Sequence, residues 1–191
     1  MSKQPSSSSA LLNLHTSLRV VYDTATRCDV DGLRTCFHDV LGRDLNTACR
    51  ILEKIPEAWS AADRPTATPG LCRLYLEACA ISSAPEVQAQ SLLNLGSLMD
   101  GMLRRGDLTE LPRVEQLDEL WNQLQKGYIN PTLSCAITET SGTIMAVLVS
   151  RDSDRVSNME QRLRSWGDML SECLEVDQVS LCRYLSRVGS S

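Results

Sequence analysis

Apolar residues along this chain recur at intervals of three and four, the spacing that lines one face of an α-helix. Leu11, Leu14, Leu18, Val21 and Tyr22 form the first stripe, predicting a helix that ends near Arg27 with Asp31 and Gly32 as the break. Leu33, Phe37, Val40 and Leu41 predict a short second helix, closed at Gly42 by a left-handed C-terminal cap. From Asp44 a third stripe runs through Leu45, Ala48, Ile51, Leu52 and Ile55. Pro56 is expected to kink or restart it, because proline lacks a backbone donor and crowds the preceding turn; Trp59 rides on the restarted turn.

Four further prolines, Pro69, Pro85, Pro112 and Pro131, each stand where an apolar stripe begins. Proline suits the first helical turn, where its fixed φ is helical and its missing N–H has no partner to lose. Thr68 is a candidate cap for the helix opened by Pro69, which carries Leu71, Leu74, Tyr75, Ala78 and Cys79 on one face. Cys72, Leu76 and Ala80 make its second face apolar, predicting burial on more than one side. Ser83 and Glu86 resemble a capping box ahead of a stripe of Ala89, Leu92, Leu95, Met99 and Met102 or Leu103, which ends at Arg104, Arg105 and the cap glycine Gly106. Pro112 opens a helix through Val114, Leu117, Leu120, Trp121 and Leu124. Asn130 caps the next, with Leu133, Ile137, Thr140, Ile144 and Leu148 on its stripe. Gly142 lies inside that helix at a cost of about 1 kcal/mol relative to alanine, so close approach of a neighbouring helix is the expected compensation.

The remaining segments follow the same grammar. Residues 1–10, with Ser6 to Ser9 in a row, predict a disordered lead-in, and 61–69 a loop that divides two packed units within one domain spanning 11–189. Met159, Leu163, Trp166 and Leu170 mark another helix; Leu181, Leu185 and Val188 mark a last, short one whose apolar face lacks a visible cover. Hairpin starts near Thr68, Pro112 and Met159 recur at about 45 residues, near the HEAT and armadillo period. The expected fold is therefore all-α, with antiparallel hairpins stacked as a short α-solenoid; an irregular compact bundle is the alternative.

Composition narrows the chemistry. A chain of 191 residues can build a core without staples, and its net charge of −5 argues against a free-standing nucleic-acid binder. The eight cysteines include no C-x-x-C pair and mostly fall in apolar stripes, which predicts reduced core thiols, no cofactor and a cytoplasmic setting. No run of apolar residues reaches the length of a membrane span. Two histidines, His15 and His38, leave little for general-base or zinc chemistry, and Cys36 with His38 lacks a second ligand pair. Cys72 and Cys79 are two turns apart, about 10 Å of rise, too far to bond. Glu110, Glu115, Asp118 and Glu119 cluster near a helix start, where the helix dipole and solvation account for them. Sixteen arginines against three lysines reflect composition more than selected contacts. Arg104, Arg105, Arg162 and Arg164 are the candidate phosphate or partner contacts; no catalytic, cofactor or metal residue is expected.

The stretch from about Leu71 to Asp177 resembles the C-terminal helical region of the THADA family, whose fungal members assist a tRNA 2′-O-methyltransferase. The resemblance lies in Leu74-Tyr75-Leu76, Pro85-Glu86-Val87, Trp121 with Tyr128-Ile129-Asn130-Pro131, Ser141 to Ala146, and Leu163-Arg164-Ser165-Trp166-Gly167. It implies a noncatalytic helical-repeat scaffold holding a protein partner, a tRNA methyltransferase, with tRNA contact open but not favoured by net charge. Such proteins are very long, so a chain of this size would correspond to a terminal portion. Two other readings stand beside it: a helical ligand-binding bundle or enzyme with an internal pocket around Met99, Met102, Cys135 and Met145, and a self-associating helical subunit.

Overall fold

In the computed structural model the described residues are 7–60, 68–126, 130–151, and 161, 164, 167, 168 and 171. They form seven α-helices and a 3₁₀ turn, with no strand among them. The helices are α1 (Ser7–Thr26), α2 (Val30–Leu41), α3 (Leu45–Ser60), α4 (Thr68–Ile81), α5 (Pro85–Arg105), α6 (Val114–Lys126) and α7 (Pro131–Arg151); the 3₁₀ turn, Leu108–Glu110, lies between α5 and α6. The all-α fold follows directly from the periodicity. Two compact units are present, Met1–Leu71 and Cys72–Ser191.

In the first unit, α1, α2 and α3 pack on one another around Val21, Ala25, Leu33, Phe37, Ile51, Leu52 and Ile55. The first break falls earlier than Asp31 and Gly32. Cys28 takes a left-handed conformation at φ 54°, its N–H donating to the Ala25 carbonyl while the Asp29 N–H donates to that of Thr24. This paired closure normally recruits glycine, so the chain ends α1 with a residue whose Cβ is crowded there. Asp29 then caps α2 by accepting from the Gly32 N–H at 2.9 Å. A Cβ on Gly32 would collide with Asp29 Oδ2, so this glycine makes room for the cap instead of breaking a helix.

Other local expectations change here for physical reasons. Gly42 has φ −72° and is right-handed, so no αL cap closes α2. Asp44 caps α3 through the Asn46 N–H and the Thr47 hydroxyl, the latter at 2.6 Å. Helix α3 continues past Pro56 without interruption. Among the described stripe residues of this unit, Tyr22 is exposed, as is Leu45 at the very start of α3, where a helix has little neighbouring structure to cover it.

The second unit is organised by α5 and α7. Ala89, Leu92, Leu95, Met99 and Met102 are buried on α5, as are Leu133, Ile137, Thr140, Ile144 and Leu148 on α7. Asn130 caps α7 by accepting from the Leu133 N–H at 2.8 Å and reaches Glu86, in the first turn of α5, through its amide at 3.3 Å. Ten residues further along each helix, Gly96 faces Thr140. Equal offsets at both points mean that α5 and α7 run parallel and in register, joined by residues 44 apart in sequence.

The close approach expected at Gly142 occurs instead at Gly96. A Cβ on Gly96 would lie 2.5 Å from Thr140 Cγ2, whereas Gly142 is exposed and has nothing within 4 Å. Thr140 and Ser141 are buried yet satisfied by donating to carbonyls of their own helix, Thr140 to Ala136 at 2.7 Å and Ser141 to Thr138 at 2.9 Å. By length and composition Pro131–Ser150 could cross a membrane, contrary to the reading of the sequence; half of it is buried inside the protein, as in a core helix.

Gly106 closes α5 with φ 75°, taking the predicted left-handed cap. The Ser83–Glu86 capping box does not form: Ala84 occupies the N-cap position without a side-chain bond, and the Ser82 hydroxyl accepts from the Ala84 N–H. Thr68 lies within α4, one position inside its expected role as cap. Pro112 is buried ahead of α6, whose start is set by Gln116 accepting from the Arg113 N–H at 2.9 Å. Residues 1–6 of the expected lead-in, the loop residues 61–67, the stripe residues Met159, Leu163, Trp166 and Leu170, and the last stripe from Leu181 lie outside the described residues; Ser7 to Ala10, expected in the lead-in, belong to α1.

Candidate functional site

Helix α4 has two unlike sides. Leu71, Cys72, Leu74, Tyr75, Ala78 and Cys79 are buried, and at its C-terminal end α4 is fastened to α5. There the Gln88 amide donates to the Cys79 carbonyl at 3.3 Å, and the Cys79 thiol donates to the Gln88 carbonyl at 3.6 Å. Burial pushes the Cys72 and Cys79 thiols up to about 12, so both stay protonated and unreactive near neutrality. Burial also raises the Tyr75 hydroxyl, although Asn94 lies near enough to favour its charged form. Neither this hydroxyl nor that of Ser91 makes a hydrogen bond of ordinary geometry.

The other side of α4 opens. Arg73, Leu76, Glu77 and Ala80 from α4 and Gln116, Glu119 and Leu120 from α6 line a groove of about 220 Å³. Of the second apolar face read from the sequence, Cys72 is buried, whereas Leu76 is half-buried and Ala80 exposed, so its C-terminal part is a groove floor. Arg73 bridges Glu77 within the helix, Nε to Oε1 at 3.1 Å. Glu119 is exposed and has no ion-pair partner among the described residues. The groove thus has an apolar floor of Leu76, Ala80 and Leu120, an internally neutralised Arg–Glu pair on one wall and a carboxylate on the other.

Of the arginines chosen from the sequence, the described ones, Arg104, Arg105 and Arg164, do not line this groove. Arg104 bridges Asp100 at 2.8 Å and Arg105 bridges Asp107 at 2.9 Å, both exposed in or near the last turn of α5, where cations also suit the helix dipole. Arg164 is exposed and helical; Arg162 lies outside the described residues. His38 is exposed and packs edge-on against the Phe37 ring, with centroids 6.1 Å apart, while the side chain of His15 is not described. Among the described residues no three His, Cys, Asp or Glu side chains gather as a metal site. Around the expected internal pocket, Met99 and Met102 are fully buried, Met145 is half-buried and Cys135 is exposed. Of the six described cysteines only Cys72 and Cys79 are buried, fewer than the stripes suggested. Trp59 and Trp121 are core anchors.

The groove residues Leu76, Ala80, Gln116 and Glu119 were missed as a site. Their signal was the doubled apolar face of α4, which periodicity alone assigns to burial. The chain matches no family model, no curated protein and no solved structure.

Proposed function

We propose that this chain is a noncatalytic helical-repeat scaffold whose α4/α6 groove docks a protein partner. The observation that carries the reading is the parallel, in-register pairing of α5 with α7 at an offset of 44 residues, close to the spacing of the hairpins in sequence. Helices that stack on the helix two places along, as α1 does on α3 and α5 on α7, are the units from which solenoids grow. In such a stack the outer helices present side chains at fixed spacing, and a partner docks without ordering the surface first. The resemblance to the THADA family supplies the specific form, an auxiliary to a tRNA 2′-O-methyltransferase, in which the partner enzyme carries the chemistry.

Two measurements on the full chain test this reading. A stacked array scatters X-rays as an elongated particle, with a radius of gyration above the roughly 16 Å expected for a compact domain of this length; a value near 16 Å contradicts the array. Sedimentation with a purified tRNA 2′-O-methyltransferase should show a complex that Ala80→Trp, which fills the groove, abolishes. A complex that survives Ala80→Trp contradicts docking in the groove, and failure of any complex to form contradicts the methyltransferase assignment.

A further inference from the structure

The walls of the α4/α6 groove carry information about what fits between them. Its floor offers aliphatic surface from Leu76, Ala80 and Leu120. Its cation, Arg73, is already engaged by Glu77, which leaves Glu119 as the charge presented to an incoming group. Exposed Glu115 precedes Glu119 by one helical turn on the same face of α6 and likewise has no ion-pair partner among the described residues. A phosphate entering here would meet one carboxylate directly and a second nearby. An arginine or lysine side chain meets what both of its parts require, since its methylene stem can lie on apolar surface while its charged head stays at the rim.

We infer that the occupant of this groove is a basic amphipathic segment of a protein partner, with a cationic side chain lying along Leu76, Ala80 and Leu120 and its charge against Glu119. The inference rests on the reading of the groove as a docking surface and adds the chemistry of the partner. Charge complementarity at a rim sets selectivity and association rate more than total affinity. Removing Glu119 should therefore weaken binding modestly, whereas filling the floor should remove it.

The test uses the full chain and a fluorescein-labelled amphipathic peptide of leucine and arginine at helical spacing, with a counterpart in which glutamate replaces every arginine. Fluorescence anisotropy should show the basic peptide binding and the acidic one not. Glu119→Gln should weaken binding about threefold, a loss that shrinks in high salt, and leave the unfolding midpoint unchanged because the side chain is exposed. Ala80→Trp should abolish binding. If Ala80→Trp abolishes binding but both peptides bind equally, or Glu119→Gln has no effect, the groove docks partners and the basic-segment inference fails. Binding that survives Ala80→Trp overturns both readings. No binding of the basic peptide, or its displacement by an unmodified tRNA transcript, overturns the inference alone, and the groove reading then stands or falls on the methyltransferase complex.

Discussion

The α5/α7 seam and the α4/α6 groove belong to the same unit and use opposite means. At the seam, Gly96 removes a side chain so that Thr140 can approach, and the hydroxyls of Thr140 and Ser141 turn back on their own helix. At the groove, Leu76 and Ala80 remain partly open between side chains of both charges. Both sides look apolar in sequence, but only the first satisfies its polar groups internally. Helical periodicity specifies which residues could be buried; the small residue and the internally bonded hydroxyls decide where two helices actually close.

The closed side should dominate stability. The largest effect lies at alkaline pH, through Cys72 and Cys79 on the closed side of α4. Each thiol is protonated in both states below its ordinary value of 9.0, so its contribution is complete there. Between pH 9 and about 12 the unfolded thiol ionises while the buried one does not, and stability falls as pH rises. The upper bound is about 4 kcal/mol for Cys72. Denaturant titrations at pH 8 and pH 10.5 should show the loss in the native chain and a smaller loss in Cys79→Ala; equal pH dependence in both would remove the thiols from the account.

Next comes the seam itself. Gly96→Ala places a methyl in the Thr140 methyl and should cost about 2 kcal/mol in a urea titration, within the range for overpacking. Thr140→Ser removes the clashing methyl while keeping the hydroxyl bond to Ala136, so the double variant should recover most of that loss. Gly142→Ala, on the same pair of helices but in open space, should instead stabilise by about 0.5–1 kcal/mol. Loss of stability in Gly142→Ala would show that α7 is approached where this account leaves it open.

The two left-handed helix ends form a smaller matched pair. Cys28→Gly should raise stability by about 1 kcal/mol, and Gly106→Ala should lower it by about the same amount, because each exchanges a Cβ for none, or the reverse, at positive φ. Thermal melts of the two variants should move in opposite directions. Smallest of all, Tyr75→Phe should be neutral or slightly stabilising, since it deletes a buried hydroxyl that makes no hydrogen bond of ordinary geometry; a loss above about 1 kcal/mol would mean that its approach to Asn94 stabilises the fold.

These sites also show what the sequence makes legible. The seven helices follow from three-and-four spacing, and Asn130 and Gly106 act as the caps expected of them; Asp44, where the third stripe begins, also caps its helix. Cys28 was not readable as a terminator because nothing in its side chain favours positive φ. Gly32, Gly96 and Gly142 look alike in sequence yet make room for a carboxylate, for a threonine and for nothing. The groove was hidden for a related reason. Leu76 and Ala80 satisfy the same periodicity as a buried stripe, and only the placement of α6, with Gln116 and Glu119 facing them, leaves them accessible.

The central claim is that one flank of the second unit is closed for stability and the other is open for a partner. Hydrogen–deuterium exchange of the full chain, with and without the basic peptide, tests it most directly. New protection is expected to be confined to residues 73–80 of α4 and 116–120 of α6, with α5 and α7 amides already slow and unchanged. Protection appearing along α5 and α7, or on α1 to α3 with α4 and α6 unaffected, would contradict it.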